Sequence, residues 1–191
     1  MKRLFIGLEL SEVVRDRVVA LQDRLKDVAT RQGVRFVRPE KIHLTVVFLG
    51  HLPEESVEAI DALCVPICAG SEPVRLVVKG LGAFPSLYRP RALWAGVDGD
   101  LPALKHLQAA LEEALKTLLP LDEKPYVPHL TLARLSPGSK EVGRMATGLS
   151  TELGELAIAD WDVAQVLLFE STPDGRYEVL KRWNLGNLPV A

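Results

Sequence analysis

Val37-Arg38-Pro39-Glu40-Lys41-Ile42-His43-Leu44-Thr45-Val46-Val47-Phe48-Leu49-Gly50 contains a tripeptide, His43-Leu44-Thr45, that returns at His129-Leu130-Thr131. The chain has four histidines in 191 residues, and two of them open this tripeptide. Each copy is followed by an apolar residue, Val46 or Leu132. Ile42 to Leu49 reads as a strand closed by Gly50. Alternate side chains of a strand share a face. His43 and Thr45 therefore point one way, and Ile42, Leu44, Val46 and Phe48 point the other way, into a core. Leu130 and Leu132 take the same core-facing positions beneath His129 and Thr131.

The surrounding sequence supplies a mixed set of elements. Leu4–Leu8 reads as a buried strand. Ser11 is placed to cap a helix with Val14, Val18, Leu21, Leu25 and Val28 on one side. Val34–Val37 is a short strand. Pro53-Glu54-Glu55 opens a second helix with acidic residues in its first turn, and its apolar positions include Val57, Ile60, Cys64 and Ile67. Val74–Val78 is a strand, followed by a Gly- and Pro-rich loop from Gly80 to Pro90. The order then repeats: Leu93-Trp94-Ala95-Gly96-Val97-Asp98 resembles Leu4-Phe5-Ile6-Gly7-Leu8-Glu9. Pro102 starts a helix with Leu104, Leu107, Leu111, Leu115 and Leu118 aligned. Tyr126–Leu135 carries the second tripeptide, and a weaker helix begins near Lys140. Val163–Phe169 and Tyr177–Trp183 read as a hairpin around Thr172-Pro173-Asp174-Gly175. Leu4 to His43 spans 39 positions and Leu93 to His129 spans 36, while His43 to Glu54 and His129 to Lys140 both span 11. The agreement predicts an internal repeat, about residues 1–80 and 91–170, within one domain covering residues 1–191. A pseudo-twofold relation between the halves would bring the two His/Thr faces together across a cleft.

Composition narrows the class. The chain is 48% hydrophobic and 25% charged, as globular domains are and disordered chains are not. A net charge of −2 argues against a broad basic coat for nucleic acid and leaves room for a local basic pocket. Lys2 and Arg3 precede an apolar run, as in a leader peptide. Glu9 interrupts that run and no small-residue cleavage site follows, so a first strand is expected. No apolar run reaches membrane-spanning length, and a cytoplasmic location is expected. Cys64 and Cys68 flank Pro66 without a second Cys or His pair. They read as buried reduced thiols rather than half of a metal site.

Two imidazoles facing one phosphorus suit phosphodiester cleavage. A neutral imidazole removes a proton from the attacking oxygen and a protonated one donates to the leaving oxygen, and a pKa near 6.5 supplies both forms at neutral pH. The hydroxyls of Thr45 and Thr131 can donate to non-bridging oxygens, where charge builds in the transition state. No carboxylate cluster adjoins either histidine, so no metal and no cofactor are expected. Gly80-Leu81-Gly82 is too short for a phosphate loop and reads as a turn. His51 and His106 lack the motif and read as surface or helix residues.

The paired motifs resemble those of the 2H phosphoesterase superfamily. The flanking segments, Arg3-Leu4-Phe5-Ile6-Gly7, Leu93-Trp94-Ala95-Gly96-Val97, Pro128 to Arg134, Leu168-Phe169-Glu170-Ser171 and Tyr177…Trp183, are similar to the RNA 2′,3′-cyclic phosphodiesterase, or LigT-like, family. The resemblance implies a bilobal α+β fold, pseudo-twofold duplicated, with two antiparallel sheets flanking a central cleft and helices outside. It implies hydrolysis of an RNA 2′,3′-cyclic phosphate end to a 2′-phosphomonoester, with His43 as proton donor and His129 as proton acceptor; the residues alone leave those two roles interchangeable. It places Thr45 and Thr131 at phosphate-binding positions and extends to ATP-independent 2′-5′ joining of RNA ends, tRNA fragments among them. No protein partner is implied.

Arg134 is chemically apt as a phosphate clamp, but strict alternation turns it away from His129 unless the strand bends. Arg35, Arg38, Lys41, Arg89 and Arg91 are candidates for an RNA approach, with Phe36 or Tyr88 stacking a base. Two other readings share these residues: a phosphodiesterase for another small cyclic nucleotide or a tRNA-splicing intermediate, and a non-catalytic module that binds RNA ends.

Overall fold

The computed structural model describes residues 1–28, 33–120, 125–136, 140–154 and 156–186. Its elements are β1 (Lys2–Glu9), α1 (Glu12–Val28), β2 (Val34–Phe36), a 3₁₀ turn (Pro39–Lys41), β3 (His43–Leu52), α2 (Ser56–Ala69), β4 (Val74–Phe84), β5 (Ala92–Gly99), α3 (Leu101–Leu115), β6 (His129–Leu135), α4 (Lys140–Leu153), β7 (Ala157–Val163), β8 (Gln165–Ser171) and β9 (Tyr177–Asn184). The architecture is α+β. Ser11 caps α1, its Oγ accepting from the Val14 N–H at 3.4 Å. Asp100 caps α3 by accepting from Ala103 N–H at 3.2 Å, and the helix starts at Leu101, one residue ahead of the expected Pro102. β6 begins at His129 rather than Tyr126, because Pro128 has no N–H to give a ladder. The side chain of Val28 lies outside the described set, and Leu118 falls beyond the end of α3, where it is exposed.

All pairings are antiparallel, in the order β7-β4-β5-β6-β3-β1-β8-β9, with β2 added on β6. The two sheets expected from the sequence are thus two lobes of one sheet. They join where β3 meets β6, at the single pair Leu44–Leu130. Lobe membership crosses the sequence halves: β4 pairs with β5, and β8 pairs with β1. All four helices contribute to one large core, in which Leu4, Ile6, Leu8, Leu44, Leu130 and Leu132 from the strands meet Leu21, Leu25, Ile60, Leu104, Leu111 and Ala146. Cys64 and Cys68 are free thiols buried in that core. Burial pushes the Cys68 thiol up to about 12 and Cys64 further still. No helix among the described residues is long and apolar enough to cross a membrane.

Two departures from the sequence reading bear on the site. The loop expected from Gly80 is strand as far as Phe84. Gly80 takes a positive φ of 71° at a bulge beside Lys79, and Gly82 pairs with Trp94. A Cβ on Gly82 would sit inside the Trp94 indole, so this glycine serves close approach of a ring rather than a turn. The single strand expected over Val163–Phe169 is divided at Ala164, and β7 runs upstream of it to Ala157.

The contrast between two glycines is testable by denaturant unfolding. Gly82→Ala should destabilise by roughly 1–3 kcal/mol, the usual cost of overpacking. Gly148→Ala, on exposed helix with open space where the methyl would go, should stabilise by about 0.4–1 kcal/mol.

Candidate active site

The Leu44–Leu130 pair fixes the cleft. Antiparallel register carried one residue either way sets His43 across from Thr131 and Thr45 across from His129. With both leucines in the core, the four polar residues share the opposite face. There they line a cleft of about 200 Å³ with Arg3, Phe5, Val37, Lys41, Phe48, Arg134 and Tyr177. A more apolar groove of about 540 Å³ adjoins it on the His129 side, lined in part by Phe48, Phe84, Tyr126 and Val127.

Both imidazoles are held the same way. His43 Nδ1 lies 2.7 Å from the Lys41 carbonyl and His129 Nδ1 lies 2.7 Å from the Val127 carbonyl. A carbonyl only accepts, so Nδ1 carries a proton in either charge state and Nε2 is the atom that titrates. His43 Nε2 meets Thr45 Oγ1 at 3.0 Å. Aromatic walls hold each ring: Phe5 at 4.7 Å and Tyr177 edge-on at 5.2 Å for His43, and Phe84 edge-on at 4.8 Å and Trp94 at 6.1 Å for His129. Burial pushes both imidazoles below their usual 6.5. The carbonyls beneath them oppose this, and the Arg134 charge adds to the depression of both, with His129 adding to that of His43.

Arg134 reaches the cleft because β6 is bulged. The β5 register skips Leu132, so Leu132 and Ala133 are both buried and alternation restarts with Arg134 on the His129 face. The same irregularity skips Val46 in β3 and turns Phe48 outward. Phe48, expected in the core, is 52% exposed and forms part of the cleft wall with Arg3 over its ring at 5.1 Å. Gln22, buried in α1, donates through Nε2 to the carbonyls of Leu132 at 2.9 Å and Val37 at 2.6 Å, which ties down the bulge.

Of the predicted approach residues, Lys41 lines the cleft and Arg35 stands beside Arg134 across the β2–β6 ladder. Arg38 is turned to the Gly175 carbonyl and Glu40. Arg89 and Arg91 are absent from the cleft lining among the described residues. Phe36 packs against the core beneath Lys26 and is not placed to stack a base. Tyr88 is exposed beside Arg89, outside the cleft lining. His51 and His106 are exposed, as expected. Sequence reasoning missed Arg3, Phe5 and Tyr177. Alternation had a signal for the first two, since Arg3 and Phe5 are offset by one from the buried Leu4, Ile6 and Leu8. Tyr177 is brought in by β9 pairing with β8, beyond any local pattern. Among the described residues no group of three or more His, Cys, Asp or Glu could hold a metal ion.

The chain and its fold match known proteins. The family model described as LigT like Phosphoesterase matches residues 8–94, which include the first motif strand. A protein of Archaeoglobus fulgidus named RNA 2′,3′-cyclic phosphodiesterase is 31% identical over 176 residues, 91% of this chain and 94% of its own. One of the same name from Methanothermobacter thermautotrophicus is 32% identical over 175 residues, 91% of this chain and 92% of its own. A crystal structure of a Thermus thermophilus protein superposes with a TM-score of 0.78 at 28% identity, over 96% of this chain and 98% of that one.

The electrostatics are checked by NMR titration, which should place both imidazole midpoints below 6.5. Folding therefore favours the neutral imidazoles. That contribution is fully present above the unfolded pKa near 6.5 and is lost as pH falls through the lowered folded values. Unfolding curves at pH 7.5 and 5.5 should show this acid-side loss shrinking in the His43→Gln/His129→Gln double variant.

Proposed function

The chain belongs to the LigT-like phosphoesterase family, and on that footing we propose that it hydrolyses RNA 2′,3′-cyclic phosphate ends to 2′-phosphomonoesters, using His43 and His129 as general acid and base. The activity is the one named for its relatives. One observation carries the reading: two imidazoles, each with Nδ1 held by its own strand's backbone, present Nε2 to one cleft that also contains two threonines and an arginine.

In the proposed reaction water attacks phosphorus as His129 Nε2 takes its proton. The bond from phosphorus to the 3′ oxygen breaks, and His43 Nε2–H protonates that oxygen. The product carries a 2′-phosphate and a free 3′ hydroxyl. His43 ends neutral and His129 protonated, and exchange with solvent resets both. Thr45 and Thr131 donate to the non-bridging oxygens, and the Arg134 guanidinium offsets the charge that develops there. A ribose 5′-hydroxyl in place of water would give a 2′-5′ linkage by the same exchange of bonds. The proposed steps run through imidazole, hydroxyl and guanidinium groups and call for no metal. The buried free thiols suit a reducing cytoplasm.

His43→Ala and His129→Ala should each lose about 10²–10⁴ in rate while their circular dichroism stays native, and EDTA should leave the wild type unchanged. Full activity in either variant would refute the roles. The end product should be the 2′-phosphate; a 3′-phosphate would reverse the leaving group. The pH profile of kcat/KM should be bell-shaped with its maximum below 6.5, because both groups of the free enzyme titrate low. The kcat profile should move toward higher pH, since a bound phosphodiester anion favours the protonated imidazoles.

A further inference from the structure

Arg35 and Arg134 are direct partners across the β2–β6 ladder. Opposed residues of an antiparallel pair project to the same side with Cβ atoms about 4.5–5.5 Å apart, and like charges in that relation are destabilising. Their neighbours confirm the facing: Val34 and Phe36 pack against the core and Leu135 is buried in it, while both arginines are exposed. Neither arginine forms an ion pair among the described residues. The two border a second depression, of about 360 Å³, with Gly33, Val34, Leu135 and Ser136. Arg134 also lines the histidine cleft, so the two hollows share a wall. Among the described residues no carboxylate appears in either lining, although the chain has 25 acidic residues against 23 basic ones. Repulsion between two unneutralised guanidiniums on a solvated face is relieved by an anion held between them, and a guanidinium fork fits phosphate.

We propose that Arg35, with the outer edge of Arg134, forms a second phosphate subsite that holds the internal phosphodiester next to the reacting end, so that the enzyme selects oligonucleotide ends over cyclic mononucleotides. This rests on the cyclic phosphodiesterase reading of the cleft and adds the substrate class to it. The terminal cyclic phosphate occupies the space between the histidines, and the strand leaves over β6 toward β2. Arg35 reads the charge of the backbone and no base edge, so the selection is for chain length rather than sequence.

The test compares kcat/KM for a cyclic-phosphate mononucleotide, a dinucleotide, and the same dinucleotide with an uncharged methylphosphonate linkage. The ratio of dinucleotide to mononucleotide should fall about tenfold in Arg35→Ala, the scale of one charge-assisted hydrogen bond to phosphate, and Arg35→Lys should recover part of it. The methylphosphonate should cost the wild type a similar factor and Arg35→Ala nothing further. The salt slope for the dinucleotide should weaken by about 0.7 on loss of one single-strand phosphate contact. A ratio unchanged by Arg35→Ala, or a methylphosphonate penalty of equal size in both proteins, would overturn the subsite while leaving the histidine chemistry intact. Wild-type protein that cleaves none of the three substrates would refute the underlying reading instead.

Discussion

One main-chain pairing, Leu44 with Leu130, holds the two lobes in register and positions the chemistry at the same time. The leucines face the core and are fully buried, so the register is fixed from the apolar side. A slip of one residue would expose both leucines and drive the histidines and threonines inward. The hydrophobic core therefore enforces the spacing of four polar groups that do not belong to it. Gly7 opposite Thr45 and Gly96 opposite His129 add no side chain of their own there, and rings take the space instead, Phe169 and His43 beside Gly7 and Trp94 beside Gly96.

The bulges that follow each motif then make the half-sites unlike. Five residues after His43 stands Phe48, and five after His129 stands Arg134. Both are turned into the cleft by the same local irregularity. One lobe thus supplies an aromatic wall and the other a cation. The Leu132 carbonyl at the second bulge accepts from Val37 N–H and from Gln22. A buried amide in α1 thereby helps determine where a guanidinium in β6 points.

Much of this was legible in the residues. Alternation around His43-Leu44-Thr45 and His129-Leu130-Thr131 gave the two strands and the faces of all six residues, periodicity gave the first three helices, and a polar segment near Lys140 marked the start of the fourth. Phe48 went astray, and Arg134 was left open to a bend in its strand, because two apolar residues follow each threonine, Val46-Val47 and Leu132-Ala133. Strict period-two reading cannot accommodate two consecutive buried residues, and a bulge can. The strand content of Gly80–Phe84 was hidden for a different reason. Gly82 is there to admit the Trp94 ring from a neighbouring strand, and that demand is tertiary. Lobe membership was likewise beyond local reading, since β4 and β8 each join the lobe of the other sequence half. The repeat over about residues 1–80 and 91–170 remains a proposal, supported by the strand order on either side of the β6–β3 junction.

The depressed imidazoles suit the proposed chemistry once the substrate is included. Burial and the nearby arginine favour neutral rings in the free protein. That supplies a base and withholds an acid. A phosphodiester carries the opposite charge into the same small space, offsets Arg134, and makes a protonated His43 favourable. The acid is then completed by the anion it is to cleave. This explains why a cation is tolerated beside two groups whose protonation it opposes: with the phosphate absent Arg134 adds to the stronger effect of burial in favouring neutral rings, and with the phosphate bound its charge is offset by the ligand. Catalytic competence and occupancy of the cleft are in this way one equilibrium, set by the register of a single leucine pair.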